Sequence, residues 1–238
     1  LLASLASIEN LTRVNDDVTL FYPLPEDEMK KIIEFIEVKK YQRIATITVM
    51  DEFGQTMKQK MIKEYGERIV ASESYPIAES DYKTYLTKIK ESQPDIIFVI
   101  GYPPHLINIL KQRVELGMDT IPIISTMHMQ SNFVRSAASN LMNEVYAVAP
   151  LTLVKENDEF VLEFKEKFQR EPDFMAPFGY DVVKIIDAAS ESNKDSVSEK
   201  IRESSIKGIS GRVSFNRYGE VNMPLGIVKA ANREIIIS

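Results

Sequence analysis

The chain has 238 residues, 44% hydrophobic and 27% charged, the proportions of a globular protein of one large or two smaller domains. A net charge of −6 without any basic run argues against a nucleic-acid partner. The absence of cysteine excludes disulfides, thiolate metal sites and cysteine nucleophiles, and no run of about eighteen apolar residues is present to cross a membrane.

Leu1 to Ser7 is apolar, but it is short and lacks the charged region of a secretory leader. A small-residue loop there leads to Ser7–Leu11, which has room for one helical turn. Val18 to Tyr22 reads as a short strand broken by Pro23 and Pro25. Glu26, Asp27 and Glu28 open the next helix, where the helix dipole favours acids. That helix runs to about Lys40 with Met29, Ile32, Ile33 and Ile36 on one face.

From Arg43 to Gly117 three strand-then-helix units follow one another. The strands are Ile44 to Met50, Arg68 to Tyr75 and Ile96 to Ile100. The helices are Thr56 to Tyr65 ended by Gly66, a helix capped by Ser80, and Pro104 to Leu116 ended by Gly117. Strands separated by helices pair in parallel, because a tight hairpin cannot join parallel neighbours. Ligands of such sheets sit beyond the carboxyl ends of the strands, here at Asp51-Glu52-Phe53-Gly54 and Gly101-Tyr102-Pro103-Pro104. Ile121 to Ser125 is the next strand, Ser131 to Asn140 a helix, and Val145 to Ala149 another strand. After Pro150 the rhythm changes to three helices, at 157–170, 175–192 and 196–205. Gly208 to Phe215 then reads as a loop into a strand, with a turn at Gly219. Leu225–Ala230 and Glu234–Ile237 form a hairpin around Asn232. The Phe160, Phe164, Phe168 stripe has the spacing of core packing.

Catalysis finds little support in the residues. Two histidines lack an acid at motif spacing, and neither a Gly-rich phosphate loop nor a His/Asp metal cluster is seen. Asp51-Glu52 could mimic a metal-binding pair at a strand end, as in receiver-like folds, but without a second acidic cluster beside it. No cofactor is expected, and the chain is not read as an enzyme; an enzyme of flavodoxin-like architecture is the distant alternative.

Four stretches together resemble the type I periplasmic solute-binding proteins of the branched-chain amino-acid-binding group. They are Arg43–Ile47 leading to Asp51–Gly54; Asp81-Tyr82 through Lys90 with Pro94–Phe98 and Gly101; Phe178–Val182; and Gly208–Gly211 with Phe215-Asn216 and Gly219. The resemblance implies an α/β, two-lobed fold of parallel sheets flanked by helices, closing on a ligand by hinge bending. Residues 1–23 and 152–216 would form the first lobe, and residues 24–151 and 217–238 the second. Hinge positions would fall at Tyr22, Pro23 and Pro150. The family's opening strand-helix units have no counterpart here, so the first lobe is expected to be incomplete, poorly stable or prone to dimerise, whether as a fragment or as a natural short form.

The resemblance also implies ligand contacts. Ser4, Ala6 and Ser7 would hold a carboxylate through hydroxyls and backbone N–H groups, or form a plain turn and cap. Phe53 and Tyr102 would line the second lobe's side of the cleft, or cover the sheet edge. Thr126-Met127-His128-Met129 stands where amino-acid binders carry an acid for the ligand's ammonium, which casts doubt on a simple α-amino acid and suggests an amide or carboxylate. Met127 and His128 are nevertheless candidate contacts, with His128 either at the ligand or exposed on its loop; His105 is expected to be solvated. Tyr180 fits a position near the cleft, and Asp181 reads as an ordinary helix residue. The implied partners are a small-molecule ligand (amino acid, amide or carboxylate) and the membrane permease of an ABC transporter, outside the cell or in the periplasm, with a lipid anchor compatible. A ligand-sensing input domain of a signalling protein is the alternative.

Overall fold

The computed structural model describes residues 2–3, 12, 18–151, 158–190 and 197–238. In chain order these give β1 (Leu2–Ala3), β2 (Thr19–Leu20), α1 (Pro25–Lys39), β3 (Ile44–Val49), α2 (Glu52–Tyr65), β4 (Ile69–Tyr75) and α3 (Lys83–Glu91). Then come β5 (Ile96–Ile100), α4 (Pro103–Glu115), β6 (Ile123–Ser125), α5 (Asn132–Ala138) and β7 (Val145–Pro150). The helices α6 (Asp158–Phe168), α7 (Ala176–Ser190) and α8 (Val197–Glu203) follow. The last strands are β8 (Ser205–Gly208), β9 (Gly211–Phe215), β10 (Val221–Asn222), β11 (Leu225–Lys229) and β12 (Glu234–Ile237).

The described residues divide into two compact units. The first takes those of Leu1–Glu28 and Pro150–Gly226 with Ser238, and the second Met29–Ala149 with Ile227–Ile237.

The second unit is built on a seven-stranded sheet in the order β12-β11-β7-β6-β5-β3-β4. From β4 to β7 neighbouring strands pair in parallel, while β11 and β12 form an antiparallel hairpin. The unbroken Ile-Ile-Phe-Val-Ile run of β5 is buried along its whole length, as a strand covered on both faces must be. β3 is equally buried although it carries Thr46 and Thr48. Their hydroxyls meet Ser72 and Ser74 of β4 at 2.9 and 3.3 Å, so the polar atoms are satisfied and help fix the register. α1 buries Met29, Ile32, Phe35 and Ile36, with Phe35 taking the place expected of Ile33.

The chain passes from β3 outward to β4, then returns to place β5 on the other side of β3. This reversal opens a crevice at the carboxyl ends of β3 and β5, the place where open α/β sheets take ligands.

Two local expectations fail here for physical reasons. Ser80 does not cap α3, which starts at Lys83. The Glu79 carboxylate instead accepts the Ser80 and Asp81 N–H groups at 2.8 and 2.9 Å, and Gln112 of α4 accepts from Tyr82 N. α2 begins at Glu52, four residues before the expected start, because Asp51 caps it by accepting the Gly54 N–H at 2.7 Å.

In the first unit β1 lies parallel to β2, and β10, β9 and β8 make an antiparallel sheet. Gly208 to Phe215 runs as expected from a turn into a strand, β9, and β8, which the sequence did not announce, pairs with it as a hairpin. Phe21 packs against Phe178 and Phe215, with ring centroids at 6.2 and 6.0 Å. Asp181 of α7 is fully buried and accepts the Ile209 and Ser210 N–H groups, both at 2.7 Å, so it holds the hairpin as well as serving its helix. The phenylalanine stripe of α6 is core at one end only: Phe160 is buried, while Phe168 is 50% exposed. Leu162, Tyr180, Val183, Ile186 and Val197 are exposed on the helices of this unit.

Candidate functional site

The second unit gathers its chemistry at the crevice of β3 and β5. Immediately after β3, Asp51 stops the strand and caps α2. Gly54 follows because no side chain fits: a Cβ there would lie 2.1 Å from the carbonyl oxygen of Val49. This close approach folds the Asp51–Gly54 turn onto the strand end and leaves Phe53 half-buried over it. After β5, Gly101 plays a similar part, since a Cβ would lie 2.2 Å from the Tyr75 hydroxyl. That hydroxyl donates to the Ile100 carbonyl at 2.7 Å, and burial raises its pKa.

Tyr102 joins the two strand ends. Its hydroxyl donates to Asp51 Oδ2 at 2.7 Å, and burial together with the Asp51 carboxylate pushes its pKa up to about 12. His105 sits one turn into α4 and is buried, contrary to the solvated position expected of it. Its Nδ1 accepts the Tyr102 N–H at 3.2 Å and its Nε2 donates to the Ile77 carbonyl at 2.9 Å, which requires the neutral Nε2–H tautomer. The ring is spent on fastening the Tyr102 turn to the chain beyond β4.

His128 comes from the one-turn 3₁₀ helix Met127–Gln130 beyond β6. It is not an exposed loop residue. Its ring stands edge-on to Phe53 at 5.7 Å and to Tyr102 at 5.4 Å, with Nδ1 3.3 Å from the Thr126 hydroxyl. Burial lowers its pKa to about 4 in spite of Asp51, which acts in the opposite direction, so it is neutral at pH 7. Asp51, Phe53, Tyr102 and His128 thus form one cluster drawn from three strand ends.

The other expected contacts are a buried residue of the same 3₁₀ turn and a tyrosine of the first unit. Met127 is fully buried, because the 3₁₀ turn tucks it inward, and it offers no surface to a ligand. Tyr180 packs edge-on to Phe160 at 5.7 Å with Lys184 Nζ 4.8 Å from its ring centre. It lines a groove of about 320 Å³ between α6 and α7 within the first unit. Ser4, Ala6 and Ser7 lie outside the described residues. Tyr22 and Pro23 are buried in the first unit, Tyr22 at 6.0 Å from the Phe178 ring, and Pro150 is buried at the end of β7, where the chain passes from one unit to the other.

Sequence reasoning missed Asp51 as a member of the cluster, and it missed Gln130, which ends the 3₁₀ turn that carries His128. Gln130 is 2% exposed, and neither amide atom has a hydrogen-bond partner among the described residues. Its only signal was its place two residues after His128. Among the described residues no group of three or more His, Asp or Glu is placed to hold a metal ion, and no helix is long and apolar enough to cross a membrane.

Solved structures share this architecture. The branched-chain amino-acid transporter substrate-binding protein LivJ of Streptococcus pneumoniae, in complex with isoleucine, matches with a TM-score of 0.89 over 99% of this chain and 70% of that one, at 20% identity. A solute-binding protein of an ABC transporter from R. palustris, in complex with benzoate, matches at 0.87 over 99% and 69%, at 14% identity. The fold is therefore the α/β fold of type I periplasmic binding proteins, parallel sheet flanked by helices. The family model described as periplasmic binding protein covers residues 1–234, and the chain belongs to that family. The resemblance to its branched-chain amino-acid-binding group holds as well. The leucine-, isoleucine-, valine-, threonine- and alanine-binding protein of Pseudomonas aeruginosa is 19% identical over 191 residues, 76% of this chain and 51% of that protein. The chain thus spans about half the length of this curated relative.

Proposed function

We propose that this chain is the solute-binding component of an ABC-type uptake system, working in the periplasm or at the cell surface and delivering its ligand to a membrane permease. It captures a small amino-acid-like or carboxylate compound by closure of two lobes and performs no chemistry on it. Closure is a population shift driven by a ligand that contacts both lobes. The observation that carries this reading is the Asp51, Phe53, Tyr102, His128 cluster at the point where the strand order reverses, in a chain of the periplasmic binding protein family. Three rings with a few fixed polar atoms are the usual lining of a small-molecule site.

A thermal-shift screen with amino acids, amides, short carboxylates and aromatic acids tests it. A ligand at a hundred times its Kd stabilises the folded chain by about 2.7 kcal/mol. Tyr102→Ala should weaken the compound found at least fivefold, the loss of about 1 kcal/mol expected on removing an aromatic anchor. A screen in which nothing shifts the transition, or an unchanged affinity after Tyr102→Ala, counts against the site.

A further inference from the structure

Six of the eleven large apolar residues exposed among the described ones lie on α6, α7 and α8: Leu162, Phe168, Tyr180, Val183, Ile186 and Val197. A concentration of this kind marks a surface that another chain covers. Its centre is the groove of about 320 Å³ between α6 and α7, one wall of which α6 supplies through Phe160, Glu163, Phe164, Lys167 and Phe168. These recur at i, i+3, i+4, i+7 and i+8, the stripe with which one helix packs on another. The rings follow in series, Phe160 to Phe164 at 5.8 Å and Phe164 to Phe168 at 4.6 Å, and Tyr180 of α7 stands against Phe160 from the opposite wall.

Two charges interrupt this apolar stripe one turn apart. Glu163 and Lys167 have the spacing and order of a favourable pair within a helix, yet neither forms an ion pair among the described residues. Lys167 lies over the Phe168 ring instead, with Nζ 5.6 Å from its centre. The neighbouring Lys165 is taken by Glu171 at 2.7 Å, and Arg170 and Lys184 lie over the rings of Phe164 and Tyr180. Glu163 and Lys167 are thus the acid and the base that the groove holds open.

The order of these two charges selects the occupant. A second α6 laid antiparallel across the first, about a twofold axis level with Lys165, sets Glu163 of each copy beside Lys167 of the other. It also brings Phe160 of each copy to the Phe168–Arg170 end of the other, where a ring and a guanidinium await it. Parallel packing would oppose like charges. A surface complementary to itself under a twofold is what a symmetric dimer requires. With 11 and 15 residues, α6 and α7 are about 16 and 22 Å long. Side by side they offer a partner roughly 400 Å², against about 800 Å² a side in a standard stable complex. That size fits a dimer in reversible exchange.

We infer that two copies of this chain pair through the α6–α7 face as a reversible, twofold-symmetric dimer, with Glu163 and Lys167 joined reciprocally across the axis. The inference is independent of the solute-binding reading above.

Sedimentation velocity of the full chain between about 1 and 100 µM, the range in which so small an interface exchanges, tests it. The expected result is a concentration-dependent equilibrium of monomer and dimer. Glu163→Lys and Lys167→Glu, both at exposed positions, should each weaken association at least about fivefold, because each sets like charges together twice across the axis. Mixed in equal amounts, the two variants present opposite charges at both contacts, and the mixture should return to within about twofold of the wild type. Phe168→Ser should weaken association at least about tenfold. Circular dichroism reports that each variant folds, and Phe168→Ser decides alone if a charge reversal does not. A chain that stays monomeric throughout the range overturns the dimer. Association that the reversals and Phe168→Ser leave unchanged, or a mixture no tighter than its separate variants, overturns the symmetric pairing through α6.

Discussion

His128 offers a test that separates burial from mere proximity of rings. Its pKa in the folded chain lies near 4 against an ordinary value of 6.5, because burial disfavours the imidazolium more than Asp51 favours it. Between those two values the unfolded chain takes up a proton that the folded chain refuses. Stability from this source is therefore present in full above pH 6.5, is lost as pH falls toward 4, and changes no further below that. At about 1.36 kcal/mol per unit the whole loss is roughly 3 kcal/mol, of which about 2 falls between pH 7 and pH 5. The chain has two histidines, so the imidazole region of its proton spectrum is simple, and His128→Gln assigns the signal. The His128 resonance should titrate with a midpoint below pH 5. In urea unfolding, the wild type should lose about 2 kcal/mol more than His128→Gln between pH 7 and pH 5, the carboxylates common to both proteins cancelling in the comparison. A midpoint between 6 and 7, or equal losses in the two proteins, would show that the imidazole is hydrated and that the cluster is open to water on its His128 side.

Three further outcomes follow from packing and hydrogen bonding. Gly54→Ala should destabilise the second unit by about 1–3 kcal/mol in urea, because overpacking against the Val49 carbonyl exceeds the gain in helix propensity; an unchanged midpoint would mean that the turn relaxes freely. Tyr75→Phe should cost about 1 kcal/mol through loss of its buried bond to the Ile100 carbonyl, and no change would place water at that carbonyl. Asp181→Ala strands one buried and one part-buried N–H group and should cost about 2–3 kcal/mol. Hydrogen exchange at Ile209 and Ser210 should accelerate with it, and unchanged protection at both would refute the pinning role.

Much of the second unit could be read from local pattern. The Ile-Ile-Phe-Val-Ile run of β5 has one stable fate, a strand covered on both faces, and the helices around it announce themselves by spacing. What escaped reading depended on partners distant in the chain. Ser80 looked like a cap until Gln112 of α4 took the Tyr82 N–H. His105 and His128 carry no mark in the sequence of the loops that cover them. Asp51 reads locally as a cap or half of a metal pair, and only the fold brings Tyr102 to its second oxygen. Phe160, Phe164 and Phe168 share one spacing but differ in exposure, because spacing defines a face and not how far the neighbouring helix extends along it.

The neighbour of β7 on its outer side is β11, and 75 residues separate Pro150 from Leu225. Ala230 completes the junction, its N–H donating to the Val145 carbonyl and its own carbonyl accepting from Arg135, each at 2.8 Å. A ribosome adding about 5–20 residues per second needs roughly 4–15 s to make the intervening stretch. Throughout that interval β7, apolar and buried in the finished protein, has a bare edge able to template pairing between nascent chains. The hairpin of β11 and β12 therefore acts as a closing clasp, and a transcript broken before the codon for Leu225 should yield a product that depends on holding chaperones and is cleared by proteolysis.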